Sequence, residues 1–175
     1  MITIEYDRPT ADEYASFYGT YVSKVPPGDL IATLTGQIAE VINLLRPVGE
    51  AKGNYAYAPG KWTIKQVVGH LIDAERVFSY RALSFARADS NPLPSFDENA
   101  WIEPAAFNDR SLTSLIDEFV AVRSATIALL SGLPAAARTR RGVASGKEVS
   151  VRALAHIIPG HVTHHLQIIK DRYLA

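Results

Sequence analysis

The sequence predicts an all-α protein, a four-helix bundle with short extra helices near its N-terminus and in its loops. Three observations lead there. Four long segments repeat apolar residues at helical spacing, Pro- and Gly-containing connections separate them, and no alternating apolar–polar run of convincing length offers a strand. A chain of 175 residues suits one domain, 1–175, and can bury a core without staples.

In chain order, "ITIEY" at 2–6 is the only strand candidate, and it is short. Residues 11–18 suit a minor helix. The first long helix runs from about Leu30 to Leu45 on the stripe Leu30, Ile31, Leu34, Ile38, Val41, Ile42 and Leu45, with Asp29 as N-cap and Pro47 and Gly49 ending it. The second begins in "KWTIKQVVGH". Thr63 and Gln66 form a capping box there, Trp62 and Val67 a hydrophobic staple, and the helix continues to about Ala88, where "DSNPLPS" stops it. "FDENAW" at 96–101 suits a short turn of helix. The third long helix spans about Leu112 to Leu130 behind Ser111, with Leu115, Ile116, Phe119, Val122, Ile127 and Leu130 inward and Gly132 suited to the left-handed position past its end. The fourth starts at Ser150, is stapled by Val149 and Leu154, and reaches about Tyr173.

Composition narrows the function classes. Eighteen basic side chains balance eighteen acidic ones, so nothing drives the chain toward nucleic acid or an anionic membrane, and "RTRRG" at 138–142 reads as a solvated loop. With no cysteine, disulfides, thiolate metal sites and a cysteine nucleophile are excluded. No basic-then-apolar leader opens "MITIEYDRPT", and no apolar stretch approaches the roughly 20 residues of a membrane span. A cytoplasmic protein is expected.

The histidines carry the chemistry. Three of the five lie in "PGHVTHHLQ" at 159–167. His161 and His165, four apart, share one helix face and replace core residues in the row Leu154, Ile158, His161, His165, Ile168. Buried and unpaired, each polar ring would cost on the order of 1–3 kcal/mol. A shared divalent cation removes that penalty, because neutral imidazole is a preferred ligand. His70 sits on an inward row of the second helix with Val67, Ala74 and Val77 and is the candidate third ligand. Spacing alone leaves metal binding and structural pairing both open. His164 points about 100° away from His165, and His156 lies on roughly the far side of the helix. Pro159 removes the hydrogen bond to the Ala155 carbonyl, which should kink the fourth helix, and Gly160 lets another element come close.

The motifs "KWTIKQVVGHLIDAERVFSYR", "PSFDENAW" and "VRALAHIIPGHVTHHLQIIKDRYL" resemble the DinB-like superfamily, and within it the YfiT-like branch provisionally assigned as metal-dependent hydrolases. The likeness runs from "VPPGDL" to "DRYLA". It implies a four-helix bundle of that type, usually a homodimer, with a divalent zinc or nickel ion held by three histidines. Carried over onto matching positions, the ligands are His70 in "GHLIDAE" and the first and last histidines of "HVTHH", His161 and His165. Pro159 departs from the family pattern, where a small helix former is common.

Three neutral ligands leave the metal's charge uncompensated and coordination positions open, which favours chemistry over a closed structural site. Hydrolysis of a small-molecule substrate comes first. Its general acid or base would come from Asp73, Glu75, Asp97 or Glu98, and residue types do not choose among them. Relatives in the superfamily also suggest transfer of a low-molecular-weight thiol; with no cysteine in the chain, that thiol must be a small molecule, and Arg76, Arg81 or Arg87 could face it. A non-catalytic dimeric metal-binding stress-response module is the third possibility. Trp62 and Trp101 are read as packing residues.

Overall fold

The computed structural model describes residues 6–175, so the strand expected at 2–6 lies, apart from Tyr6, outside the described residues. The elements are α1 (Gly19–Val22), α2 (Leu30–Leu45), α3 (Gly49–Gly53), α4 (Ile64–Ala86), α5 (Glu98–Ala105), α6 (Leu112–Ser131), α7 (Ala135–Arg138), β1 (Arg141–Ala144), β2 (Lys147–Ser150) and α8 (Val151–Ile168). A π-helical turn, Ile169–Tyr173, extends α8.

The four long helices start at side-chain caps. Asp29 accepts a hydrogen bond from the Ala32 N–H, Thr63 from Gln66, Ser111 from Ser114 and Ser150 from Ala153. At Thr63 the capping box is complete, since the Gln66 side chain accepts from the Thr63 N–H. Helices α4 and α8 pack together, as do α4 and α6, α2 and α6, and α2 and α8. The ring order is therefore α2–α6–α4–α8, and of the chain-consecutive long helices only α4 and α6 are neighbours.

Two apolar clusters fill the bundle. One is built around Leu34, Phe78, Phe85, Leu130 and Leu154, the other around Val41, Leu71, Phe119, Val162 and Leu166. Between them lies a buried polar layer. The Arg123 guanidinium on α6 donates to both carboxylate oxygens of Glu75 on α4, at 2.7 and 2.8 Å. It also donates to Gln37 Oε1 on α2 at 2.6 Å and to the Leu34 carbonyl at 3.2 Å. Gln37 Nε2 in turn donates to the Pro159 carbonyl and to Thr163 Oγ1 on α8, both at 2.9 Å. One chain of hydrogen bonds thus joins all four helices.

This layer corrects two sequence-based stripes. The inward seam of α6 runs through Arg123 and Thr126 rather than Val122 and Ile127, and that of α2 through Gln37 rather than Ile38. Apolar residues alone do not mark either seam: 30–34–37–41–45 and 112–116–119–123–126–130 keep the regular spacing of one face and include the polar Gln37, Arg123 and Thr126.

Other differences are local. Residues expected as a loop form a hairpin, β1 and β2 paired antiparallel, turning at Ser145 and Gly146 with φ of 53° and 70°. Two positive-φ residues between short strands are the signature of a tight hairpin turn, and "SG" was its signal. Within 138–142, Arg141 pairs with Asp12 and Glu148, both at 2.8 Å, and Arg140 donates to the Ala86 carbonyl. Gly132 is right-handed, φ −84°, because Pro134 already disfavours helix at Leu133 and no left-handed cap is needed. Helix α4 ends at Ala86, with Ala88 in the left-handed region at φ 61°. The "FDENAW" turn is the start of an eight-residue helix. Gly160 permits the close approach expected of it: a Cβ there would lie 2.1 Å from the Tyr21 carbonyl oxygen, so α1 docks directly on α8. No helix among the described residues is long and apolar enough to cross a membrane.

Arg123→Ala would leave Glu75 as a buried, unpaired carboxylate. It is expected to destabilise the fold by about 3–5 kcal/mol, and Arg123→Met combined with Glu75→Gln is expected to recover a large part of that loss. Urea unfolding of the single and double variants checks both.

Candidate metal centre

The packing of α4 against α8 brings His70 onto His161 and His165. The ring centroids of His70 lie 4.9 Å from His161 and 5.0 Å from His165, and those of His161 and His165 are 4.6 Å apart. Interplanar angles of 72°, 72° and 77° turn edges toward faces. His70 Nε2 and His161 Nε2 approach to 3.0 Å. One nitrogen from each ring lies within 4.8 Å of the others.

The surroundings keep these rings neutral. Burial pulls the His70 pKa from 6.5 down to about 4. For His165 burial, followed by His70 and His164, pulls it down to about 3. His161, buried and beside the other three histidines, is held well below its ordinary value, chiefly by burial. Aromatic rings form the shell: Trp62 lies 5.0 Å from His70, and Tyr21 and Phe78 lie 5.2 and 5.8 Å from His161.

The donor set suits a divalent cation. Neutral imidazole nitrogen binds zinc at about 2.0–2.1 Å, which in a tetrahedron sets nitrogens roughly 3.3 Å apart. The observed 3.0 Å contact and 4.8 Å limit bracket that value, so small ring rotations suffice. None of the three rings has a carboxylate hydrogen-bond partner among the described residues.

Two cavities flank the cluster. One, about 210 Å³, opens on His70 and His161 and is bordered by Tyr18, Tyr21, Arg81 and Glu98. The other, about 240 Å³, opens on His165 beside Trp62 and Tyr173. Burial raises the pKa of the Tyr18 and Tyr21 phenols, which stay protonated.

The sequence-selected carboxylates are dispersed. Glu75 is engaged by Arg123 in the polar layer. Asp97 is the N-cap of α5, accepting from the Asn99 and Ala100 N–H groups. Asp73 lies 3.9 Å from Arg76 on an outer groove, with its pKa raised chiefly by burial, and borders neither histidine cavity. Glu98, exposed, borders the first cavity. His164 meets the Tyr21 ring at a tilt and the His165 ring edge to face, and His156 Nδ1 lies 2.8 Å from the Arg152 carbonyl. Tyr18, Tyr21 and Ser145 were not foreseen at the site. The spacing of "YGTY" opposite Gly160 is the one available signal for the tyrosines.

Residues 23–169 match the model of the DinB superfamily. The chain belongs to the DinB superfamily. Among solved structures it is similar to YfiT from Bacillus subtilis, described as a probable metal-dependent hydrolase with an unusual four-helix bundle topology. The TM-score is 0.72 at 19% identity, over 84% of this chain and 87% of that one. Among curated proteins it is 34% identical over 76 residues to one from Oceanobacillus iheyensis provisionally named a metal-dependent hydrolase; the match spans 42% of this chain and 42% of that protein. The DinB-type bundle expected from the sequence is thus the fold present, with the ring order α2–α6–α4–α8 and a small hairpin.

Unfolded histidines take up protons near pH 6.5, whereas His70 and His165 in the fold do so only near 4 and 3. Between those limits the unfolded chain binds more protons, so stability falls as pH drops from about 6.5 toward 4. Metal-free protein is expected to lose up to about 1.4 kcal/mol per pH unit per buried histidine over that window. His70→Ala is expected to make the slope shallower, as urea unfolding across pH 4–8 would show.

Proposed function

We propose that this protein is a metal-dependent hydrolase acting on a small molecule, with one divalent ion held by His70, His161 and His165. The observation that carries the reading is the convergence of three neutral imidazole nitrogens, two buried and that of His165 half-buried, within 4.8 Å beside a cavity. Three ligands of this kind suit zinc or nickel and leave positions open. Such an ion supplies Lewis-acid polarisation of a carbonyl or phosphoryl oxygen and acidifies a water that it holds. The names of the Oceanobacillus and Bacillus proteins support hydrolysis over thiol transfer.

The chain's own groups supply the rest. The protonated Tyr18 and Tyr21 hydroxyls are placed to donate hydrogen bonds to negative charge developing in the cavity. Glu98 stands at the same cavity as a proton acceptor open to solvent. Phe78 and Trp62 pack against the imidazole rings of His161 and His70 and restrict how far they can turn.

Purified protein loaded with zinc or nickel and freed of excess ion is expected to retain about one ion per chain, and His70→Ala, His161→Ala and His165→Ala each to lose it. Elemental analysis of the four proteins checks this. Wild type that retains no stoichiometric ion, or a His70→Ala variant that retains it fully, contradicts the reading.

A further inference from the structure

Among the described residues five charged side chains are buried: Glu13, Lys65, Glu75, Arg81 and Arg123. Glu13 pairs with Arg152, Lys65 with Glu50, and Glu75 with Arg123. Arg81, only 2% exposed, is the exception: among the described residues no carboxylate lies within ion-pair distance of it. Its Nη2 donates to the Pro94 carbonyl at 2.7 Å and to Ser145 Oγ at 3.0 Å. Its guanidinium carbon sits 5.9 Å from the Phe96 ring centre, and the Tyr18 hydroxyl is beside it. These neutral partners orient the group without cancelling its charge. A buried guanidinium without a counter-ion is unfavourable unless something supplies one.

Arg81 borders the cavity that opens on His70 and His161. Eleven residues separate positions 70 and 81 on α4, about three turns, so both side chains leave the same helix face. Phe78 and Phe96 wall the cavity with apolar surface.

We propose that Arg81, steadied by Ser145 and Tyr18, binds a carboxylate group of the substrate and so selects small carboxylic acids with an apolar body. The proposal rests on the preceding identification of this cavity as the active site. Planar guanidinium matches carboxylate in a two-point hydrogen bond. At the Arg81 end of the cavity a monoanion fits better than a phosphate dianion, because Arg81 is the one Lys or Arg side chain bordering the cavity among the described residues and Glu98 borders it too. A volume of about 210 Å³ limits the ligand to a small metabolite.

Calorimetric titration of the full chain with phenylacetate and its neutral analogue phenylacetamide tests this. Wild type is expected to bind phenylacetate at least about ten-fold more tightly than the amide, the span of one charge-assisted contact. Arg81→Gln is expected to abolish the preference. Arg81→Lys is expected to keep part of it, because ammonium retains the charge and loses the fork. His70→Ala is expected to keep the preference even where it loses metal, which separates this proposal from the metal reading. Absence of preference in wild type overturns the proposal. So does a preference that survives Arg81→Gln and disappears in His70→Ala, since the anion would then sit on the metal. Should Arg81→Gln fail to fold, the other two variants decide: Arg81→Lys equal to wild type with the preference lost in His70→Ala overturns it.

Discussion

Three imidazoles meeting in the interior of a helical bundle are the constraint around which this molecule is arranged. Each ring would be protonated in water at mildly acid pH, and each is buried deeply enough to stay neutral. Apolar residues at those positions would pack without such a penalty. What burial creates is three ring nitrogens within 4.8 Å of one another, with no carboxylate among the described residues in the cluster itself. An ion bound only by neutral groups would keep its full charge, and the cavity on His70 and His161 opens beside the position it would take.

Holding three rings together from two helices requires those helices to keep their axial register. The polar layer between the two apolar clusters does this. Arg123 clamps Glu75, five residues along α4 from His70, and reaches through Gln37 to the Pro159 carbonyl, two residues before His161 on α8. Apolar contacts alone tolerate sliding by a turn, whereas a two-point Arg–carboxylate bond does not. Gly160 contributes on the outer side, admitting the Tyr21 backbone so that the tyrosines of the N-terminal segment border the site.

Features that depend on neighbours in the chain were legible from the sequence. Asp29, Thr63, Ser111 and Ser150 cap helices because a side chain and an N–H two or three residues on suffice to make the bond. Helical spacing likewise put His161 and His165 on one face and His70 on an inward row, and the structure has the three rings together. Features that depend on distant partners were not. Arg123 and Gln37 read as polar positions beside an apolar stripe, because their partners lie 48 to 126 residues away in the chain. The ring order of the helices, the docking of α1 on Gly160 and the counter-ion deficit at Arg81 are likewise settled by tertiary packing. Asp73 and Glu75 illustrate the same limit: both follow His70 closely, yet one turns to an outer groove and the other into the Arg123 pair.

X-ray absorption on protein loaded with a single equivalent of zinc or cobalt examines the shared-ion claim directly. The account predicts three imidazole nitrogens at about 2.0–2.1 Å, completed by one or two light oxygen-type neighbours. A first shell with one imidazole or none, or one built mainly of carboxylate oxygen, would contradict it.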